Sequence, residues 1–166
     1  MLGPIYALFV KQIGGDVLDV GFSWSIFMII SGIGMLVMGK VVDSLKKEKS
    51  MMMLGCALQS LGFLGYFFVS NKIQLYIVQV LMGLSITVQH PVFNSFYTRY
   101  LEKGKVAFQW AAWEGTYFTI TGFAALIGAF LVKIFGFRTM FLIMFIISLI
   151  GLLVIIKIKE EKTNEH

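Results

Sequence analysis

The stretch GKVVDSLKKEK, residues 39–49, places one aspartate, Asp43, directly ahead of a lysine cluster and lies between two long apolar runs. The runs on either side, at roughly 20–40 and 51–70, each reach the length of about 20 residues that a helix needs to cross a bilayer. Two membrane-spanning helices joined by a short basic loop are therefore the first structure that the sequence predicts.

The whole chain has the composition of a membrane protein. Of its 166 residues, 58% are hydrophobic and 14% are charged, and the mean hydropathy is +0.83. Soluble domains carry about 25% charged residues. Three more runs of spanning length follow, at 73–98, 106–133 and 137–156. We expect an all-α integral membrane bundle over residues 1–159.

The first apolar run is much shorter than the others. Residues 2–10 would form roughly 13 Å of helix at about 1.5 Å per residue, less than half of the hydrocarbon thickness. We therefore expect five complete spans and a truncated first one, with most of the first helix missing. No basic region precedes a cleavage site there, which argues against a removable signal peptide.

The basic residues are divided unequally between the two ends of the predicted bundle. Ten lie at one end: Lys40, Lys46, Lys47, Lys49, Arg99, Lys103, Lys105, Lys157, Lys159 and Lys162. Four lie at the other: Lys11, Lys72, Lys133 and Arg138. Cytoplasmic loops are enriched in lysine and arginine. The charge split predicts a multi-pass protein of the plasma membrane whose loops at 44–50 and 100–105 and C-terminal tail, 160–166, face the cytoplasm.

Several classes of function receive no support from the sequence. The net charge of +5 comes from short membrane-flanking loops, not from the broad basic face that binds nucleic acid. No metal-ligand cluster, phosphate-binding loop or nucleophile motif is present, so we expect neither an enzyme nor a bound cofactor or metal. Cys56 is the only cysteine, which excludes an internal disulfide. The expected partners are the lipid bilayer and a small-molecule substrate.

Polar side chains concentrate in the runs at 73–98 and 106–133. Because polar groups inside a membrane normally face the bundle interior or a water-filled cavity, these two helices are predicted to line something polar. The short connections also predict that successive helices are antiparallel neighbours. The candidate cavity residues are Gln79, Gln89, His90, Asn94, Trp110, Glu114 and Tyr117.

His90 and Glu114 are the ionisable side chains farthest from the ends of the spans. His90 precedes Arg99 by nine residues and Glu114 follows Lys105 by nine, so both lie roughly 13 Å from the same boundary. This matched depth predicts a direct or water-bridged contact between them. Two interpretations remain open: the pair joins helices, or it couples protons or contacts a substrate.

Other residues predict the shape and packing of the helices. Pro91 removes a backbone hydrogen bond inside a span and predicts a kink, either as a feature of shape alone or as part of the polar site beside it. Ala124 and Gly128 form a pair of small residues four apart, the spacing that lets membrane helices approach closely.

Several motifs together resemble the major facilitator superfamily. The loop residues Gly39, Asp43, Lys46, Lys47 and Lys49 are similar to the basic loop signature that follows the second span in that family. PIYALFV (4–10) before the next loop, Gly83 at the family's fourth-span glycine and GFRTMF (136–141) at the entry to the last span extend the resemblance over nearly the whole chain. Gln79 stands where the family usually has an arginine.

This resemblance implies one half of a rocker-type secondary transporter, in which two six-helix halves move around a central site. It implies that Asp43 gates the cytoplasmic side, although an ordinary acid at a helix end is the alternative. One half requires a second, so three possibilities remain: a fragment of a twelve-span protein, a half-size transporter that dimerises or pairs with another half, or a non-transporting interaction or assembly module on the same scaffold.

Overall fold

The computed structural model describes residues 3–45 and 48–157, and within these ranges every regular element is a helix. A short 3-10 turn, Gly3–Ile5, leads into the first α-helix. The five α-helices are α1 (Tyr6–Gln12), α2 (Val17–Leu45), α3 (Glu48–Phe68), α4 (Lys72–Arg99) and α5 (Val106–Lys157). The expectation of an all-α fold is confirmed. Lys46, Lys47 and the tail 160–166 lie outside the described residues.

Two of the helix starts are fixed by side-chain caps. Asp16 and Asp19 form a reciprocal box before α2, in which each carboxylate accepts a hydrogen bond of 2.9 Å from the backbone N–H of the other residue. Asn71 caps α4 by accepting a 3.0 Å hydrogen bond from the backbone N–H of Gln74. These acceptors satisfy N–H groups that a helix end leaves without intrahelical partners.

The helices match the lengths that a bilayer requires. α2, α3, α4 and α5 are each long and apolar enough to cross a membrane, and the 52 residues of α5 suffice for two crossings at about 20 residues each. The bounds of α2, α3 and α4 agree with the predicted spans to within five residues. The helical multi-pass architecture predicted from hydropathy is therefore confirmed.

The connection between the runs predicted at 106–133 and 137–156 is very short, and both runs lie within α5. Only Gly136 departs from helical geometry, with φ +79° and ψ 170°. A positive φ of this size is readily accessible to glycine, which lacks a Cβ. Gly136 divides the helix into a proximal segment, residues 106–135, and a distal segment, residues 137–157.

The prediction that successive helices are neighbours is confirmed for α3 and α4 and is wrong for α2 and α3, because α2 packs against α4. α4 lies between α2 and α3, and α3 in turn packs against α5. Glycine permits the close approach on both sides of α4. A Cβ at Gly83 would lie 3.1 Å from the backbone oxygen of Phe27 on α2, and one at Gly65 of α3 would lie 2.8 Å from Val78 on α4.

Two apolar clusters hold the ends of the bundle. At the lysine-poor end, the end where α2 and α4 begin, ten buried residues from α1, α3, α4, α5 and the α3–α4 connection form the larger cluster, which includes Phe9, Tyr66, Leu75 and Phe141. At the lysine-rich end, the end where α2 and α4 finish, Val42, Met51, Val88 and Val92 form a smaller one. α1 is only seven residues long, yet its Val10 is fully buried in the larger cluster.

The proximal segment of α5 is covered far less than the other spans. Every residue from 111 to 123 is exposed, including Phe118 at 67% and Phe123 at 65%. The distal segment instead packs on α3, where the hydroxyls of Ser60 and Ser148 lie 2.7 Å apart and the rings of Tyr66 and Phe141 stack at 5.0 Å. The exposed proximal segment therefore offers a long face for contacts beyond this bundle.

Candidate functional site

Gln79 lies in a buried junction of three helices. It is 2% exposed, and its side-chain amide donates a hydrogen bond to the hydroxyl of Tyr6 on α1. That hydroxyl donates to Ser23 Oγ on α2 at 2.6 Å, and Ser23 donates to the backbone oxygen of Asp19, also at 2.6 Å. These hydrogen bonds connect α4, α1 and α2. Gln79 therefore holds three helices together and does not line an open cavity of the described chain.

Asp19 is the centre of a polar cluster that the sequence analysis did not identify. Its carboxylate accepts hydrogen bonds from Lys72 Nζ at 2.9 Å and from the Tyr76 hydroxyl at 2.6 Å. Both donors lie in the first two turns of α4. The sequence did contain a signal for it, because an acid three residues after Asp16 is the spacing of a capping box at a helix start.

Gln89 lies in the seam between α3 and α4. Its side-chain nitrogen donates to Ser85 Oγ at 2.7 Å and to Gln59 Oε1 at 3.4 Å, and Ser85 donates to the backbone oxygen of Gly55 at 3.0 Å. Cys56 Sγ approaches Gln89 Oε1 at 3.8 Å. These bonds occupy the amide of Gln89 within the bundle, where it joins two helices.

His90, Asn94 and Glu114 have a different environment. All three side chains are exposed, and none makes a hydrogen bond or ion pair within residues 3–45 and 48–157. The predicted direct contact between His90 and Glu114 is absent from the described chain. An ionisable group in mid-span is costly unless it meets water or a polar partner, so this region is the candidate functional site.

Aromatic rings join α4 to the start of α5 beside these polar groups. Trp113 packs against Phe93 with ring centroids 4.5 Å apart and against Tyr97 at 5.7 Å, while Trp110 meets Tyr97 edge-to-face at 4.9 Å. The Tyr97 hydroxyl donates to the backbone oxygen of Gln109 at 2.8 Å. We call Phe93, Tyr97, Trp110 and Trp113 the ring cluster. Tyr117, one turn further along α5, is 54% exposed.

Comparison with known proteins identifies the family. The model of the Major Facilitator Superfamily matches residues 1–166, the entire chain. The chain belongs to the major facilitator superfamily. It is 26% identical over 144 residues, 85% of each chain, to a protein of Bacillus subtilis (strain 168) described as the uncharacterized MFS-type transporter YitZ. The chain is thus a membrane transporter of the facilitator kind.

The facilitator-type loop signature is only partly within the described residues. Asp43, near the end of α2, is exposed and has no hydrogen bond or ion pair within that part of the chain. Gly39 is half-buried, and a Cβ there would meet no atom within 4 Å. Glu48, at the start of α3 on the same side, pairs with Arg99 and accepts a 3.3 Å hydrogen bond from Ser95.

The residues expected to shape the helices differ in burial and in the contacts they make. Gly83 is buried at the contact with α2, where a Cβ would lie 3.0 Å from Ile30 Cγ2. Pro91 is half-buried inside α4, which continues past it to Arg99. Ala124 is half-buried and Gly128 is buried on the proximal segment.

A separate concave feature is lined by polar as well as aliphatic groups. An open concavity of 470 Å³ lies beside the start of α2 and is lined by Asp19, Phe22, Ser25 and Tyr76 together with aliphatic groups. In the described ranges, no group of three or more His, Cys, Asp or Glu side chains is placed to hold a metal ion. Neither His90 nor Glu114 lines this concavity.

Proposed function

We propose that this chain is one half of a secondary transporter that moves a small solute across the plasma membrane by alternating access. In this proposal a second six-span unit, either another copy or a separate half, faces the proximal segment of α5. The loops at the lysine-rich end and the C-terminus are cytoplasmic, in keeping with the charge split in the sequence.

The observation that carries the proposal is the setting of Glu114. Glu114 is the only charged residue between Lys105 and Lys133, and its carboxylate is exposed and unpartnered in the described chain, with His90 at matching depth on α4. Such a group is stabilised by water or a polar ligand and is costly against lipid. A solute route between this chain and a second unit supplies both, and Glu114 is then its titratable group.

The polar side chains of the spans divide into those used in helix joints and those left available. Gln79 and Gln89 are occupied in helix joints, so they rigidify the bundle, whereas His90, Asn94 and Glu114 remain available to a solute. Rigid halves that move against each other are the expected mechanical units of rocker-type transport.

The test is uptake by reconstituted protein. The chain, with whatever second unit co-purifies, is placed in proteoliposomes with an imposed proton gradient and offered a mixture of labelled small solutes. Glu114→Gln keeps size and hydrogen-bonding capacity but removes the charge, so it should abolish or uncouple uptake in a folded protein. Glu102→Gln is the matched control, because Glu102 lies in a loop, paired with Lys105. Normal gradient dependence in Glu114→Gln would refute the coupling role.

The alternative is an assembly module that uses the exposed proximal segment to bind partner helices. A module predicts that Asn94 and Glu114 are sealed from water in the assembled protein. Cysteines introduced at these positions, in a chain lacking Cys56, should react with a water-soluble thiol reagent if a solute route exists. Complete protection at both positions in native membranes would favour the module.

A further inference from the structure

The ring cluster and Glu114 together form a feature whose chemistry goes beyond the transport proposal. Trp113 is held on one side by Phe93 and Tyr97, yet 38% of it remains exposed. Glu114 follows directly along the chain. It lies four residues after Trp110 and three before Tyr117, so it shares a helix surface with both residues.

The charge of Glu114 has no counterpart on its own helix. The nearest basic residues of α5 and its preceding loop are Lys105, nine residues before, and Lys133, nineteen residues after. At about 1.5 Å per residue these lie roughly 13 Å and 28 Å away along the axis. Lys105 is already paired with Glu102 at 2.8 Å. No basic side chain of this helix or of its preceding loop is therefore close enough along the axis to pair with Glu114.

We propose that Glu114 and the exposed faces of Trp113 and Tyr117 form a binding site for a small organic cation with an apolar body. The carboxylate pairs with the positive charge, and the aromatic faces attract the same charge through their quadrupoles while packing against the apolar groups. An inorganic cation would leave the rings unused. An anionic solute would be repelled by Glu114.

This site rests on the proposed function only in that the bound cation would be the transported solute. Binding itself can be measured without transport. The probe is radiolabelled phenyltrimethylammonium, compared with tert-butylbenzene, a neutral molecule of the same shape. Both are applied to the purified full-length chain in detergent, with whatever second unit co-purifies, by equilibrium dialysis.

The cation should bind at least tenfold more tightly than its neutral counterpart. Glu114→Gln should weaken cation binding by about tenfold or more and leave the neutral molecule unaffected, because the charge pair alone is lost. Trp113→Leu should weaken cation binding as well. Trp113→Phe, which keeps an aromatic face, should retain most of it. Glu102→Gln and Phe108→Ala are the controls, since Phe108 is 72% exposed and lies outside the ring cluster.

Equal binding of the two probes, or unchanged cation binding by a folded Glu114→Gln protein, would overturn the proposed site. The two proposals fail separately. Cation binding without any uptake in proteoliposomes supports the site and contradicts transport, whereas uptake of other solutes by a chain that does not bind the cation supports transport and overturns the site. Thermal unfolding of each variant identifies any that do not fold, and if Trp113→Leu is one of them, Tyr117→Leu replaces it as the variant expected to weaken cation binding.

Discussion

The carboxylate of Asp19 lies 2.9 Å from the ammonium of Lys72, and this ion pair joins the first turn of α2 to the first turn of α4. The two partners are unequally covered: the Lys72 side chain is 49% exposed and that of Asp19 is 11% exposed. The same carboxylate also accepts from Tyr76 and from the backbone of Asp16. Asp19 therefore has two uncharged donors in addition to its ionic partner.

Substitutions at this cluster should rank in a definite order. Asp19→Ala removes the ion pair, the Tyr76 hydrogen bond and half of the capping box, so it should give the largest drop in Tm in detergent. Lys72→Met removes only a partly exposed ion pair, which is worth little in general, and should give a smaller drop. Lys72→Arg keeps the charge and should behave like the parent. A Lys72→Met drop equal to that of Asp19→Ala would show that the ion pair dominates.

The hydroxyl of Tyr6 should matter to stability through the groups it leaves behind. Tyr6→Phe removes the acceptor of the 2%-exposed Gln79 amide and should lower the free energy of unfolding by about 1–3 kcal/mol, the usual cost of a buried unsatisfied polar group. Replacing both partners, in Tyr6→Phe with Gln79→Leu, should recover part of that loss. Thermal and denaturant unfolding of the single and double variants in detergent measure it. A double variant that loses the full sum would contradict the assignment.

The spans could be predicted from the sequence, but their pairing could be predicted only in part. Hydropathy reports length and apolar content, and those alone located the spans that became α2, α3 and α4. In a membrane helix the lipid-facing and protein-facing sides are both apolar, so no amphipathic stripe marks the neighbour. The placement of α4 between α2 and α3 depends instead on where glycine meets a larger side chain, as Gly34 meets Thr87.

The candidate site, too, could be predicted only in part from the sequence. Polar residues in the spans could be recognised, yet the sequence did not show that Gln79 and Gln89 are occupied within the bundle, because this depends on helix rotation and crossing. Asp19 was missed because it lies at the edge of a span, where acids are common. Its spacing of three residues from Asp16 could have located the start of α2. Its bonds to residues of α4 could be seen only in the folded structure.

The contact between Gly83 and α2 can be tested by adding one methyl group. Gly83→Ala would bring a Cβ to 3.1 Å from the Phe27 backbone oxygen, which cannot rotate away, so α2 and α4 must separate. We expect a loss of about 1–3 kcal/mol in unfolding free energy, typical of overpacking. Gly32→Ala is the control, because a Cβ there meets no atom within 4 Å. Unfolding in detergent measures the stability of both variants. A Gly83→Ala protein as stable as Gly32→Ala would refute the close contact.

The orientation in the membrane can be measured with single cysteines in a Cys56→Ala background. Lys103→Cys lies in the connection between α4 and α5, and Ser70→Cys lies between α3 and α4. A membrane-impermeant thiol reagent added to intact cells should label Ser70→Cys and spare Lys103→Cys until the cells are broken, because the end richer in lysine is expected to face the cytoplasm. The reverse pattern of labelling would invert the proposed topology.

The last prediction separates stability from transport at His90 and Glu114. Since the described chain joins them by no hydrogen bond or ion pair, the stability effects of His90→Ala and Glu114→Gln should add to within about 0.3–0.5 kcal/mol, as for independent sites. If both line one solute route, their effects on uptake should not add, because either variant alone already interrupts it. The measurement is a double-mutant cycle, run once by unfolding in detergent and once by uptake in proteoliposomes. Coupling in unfolding with none in uptake would mean that the pair holds helices together and has no part in transport.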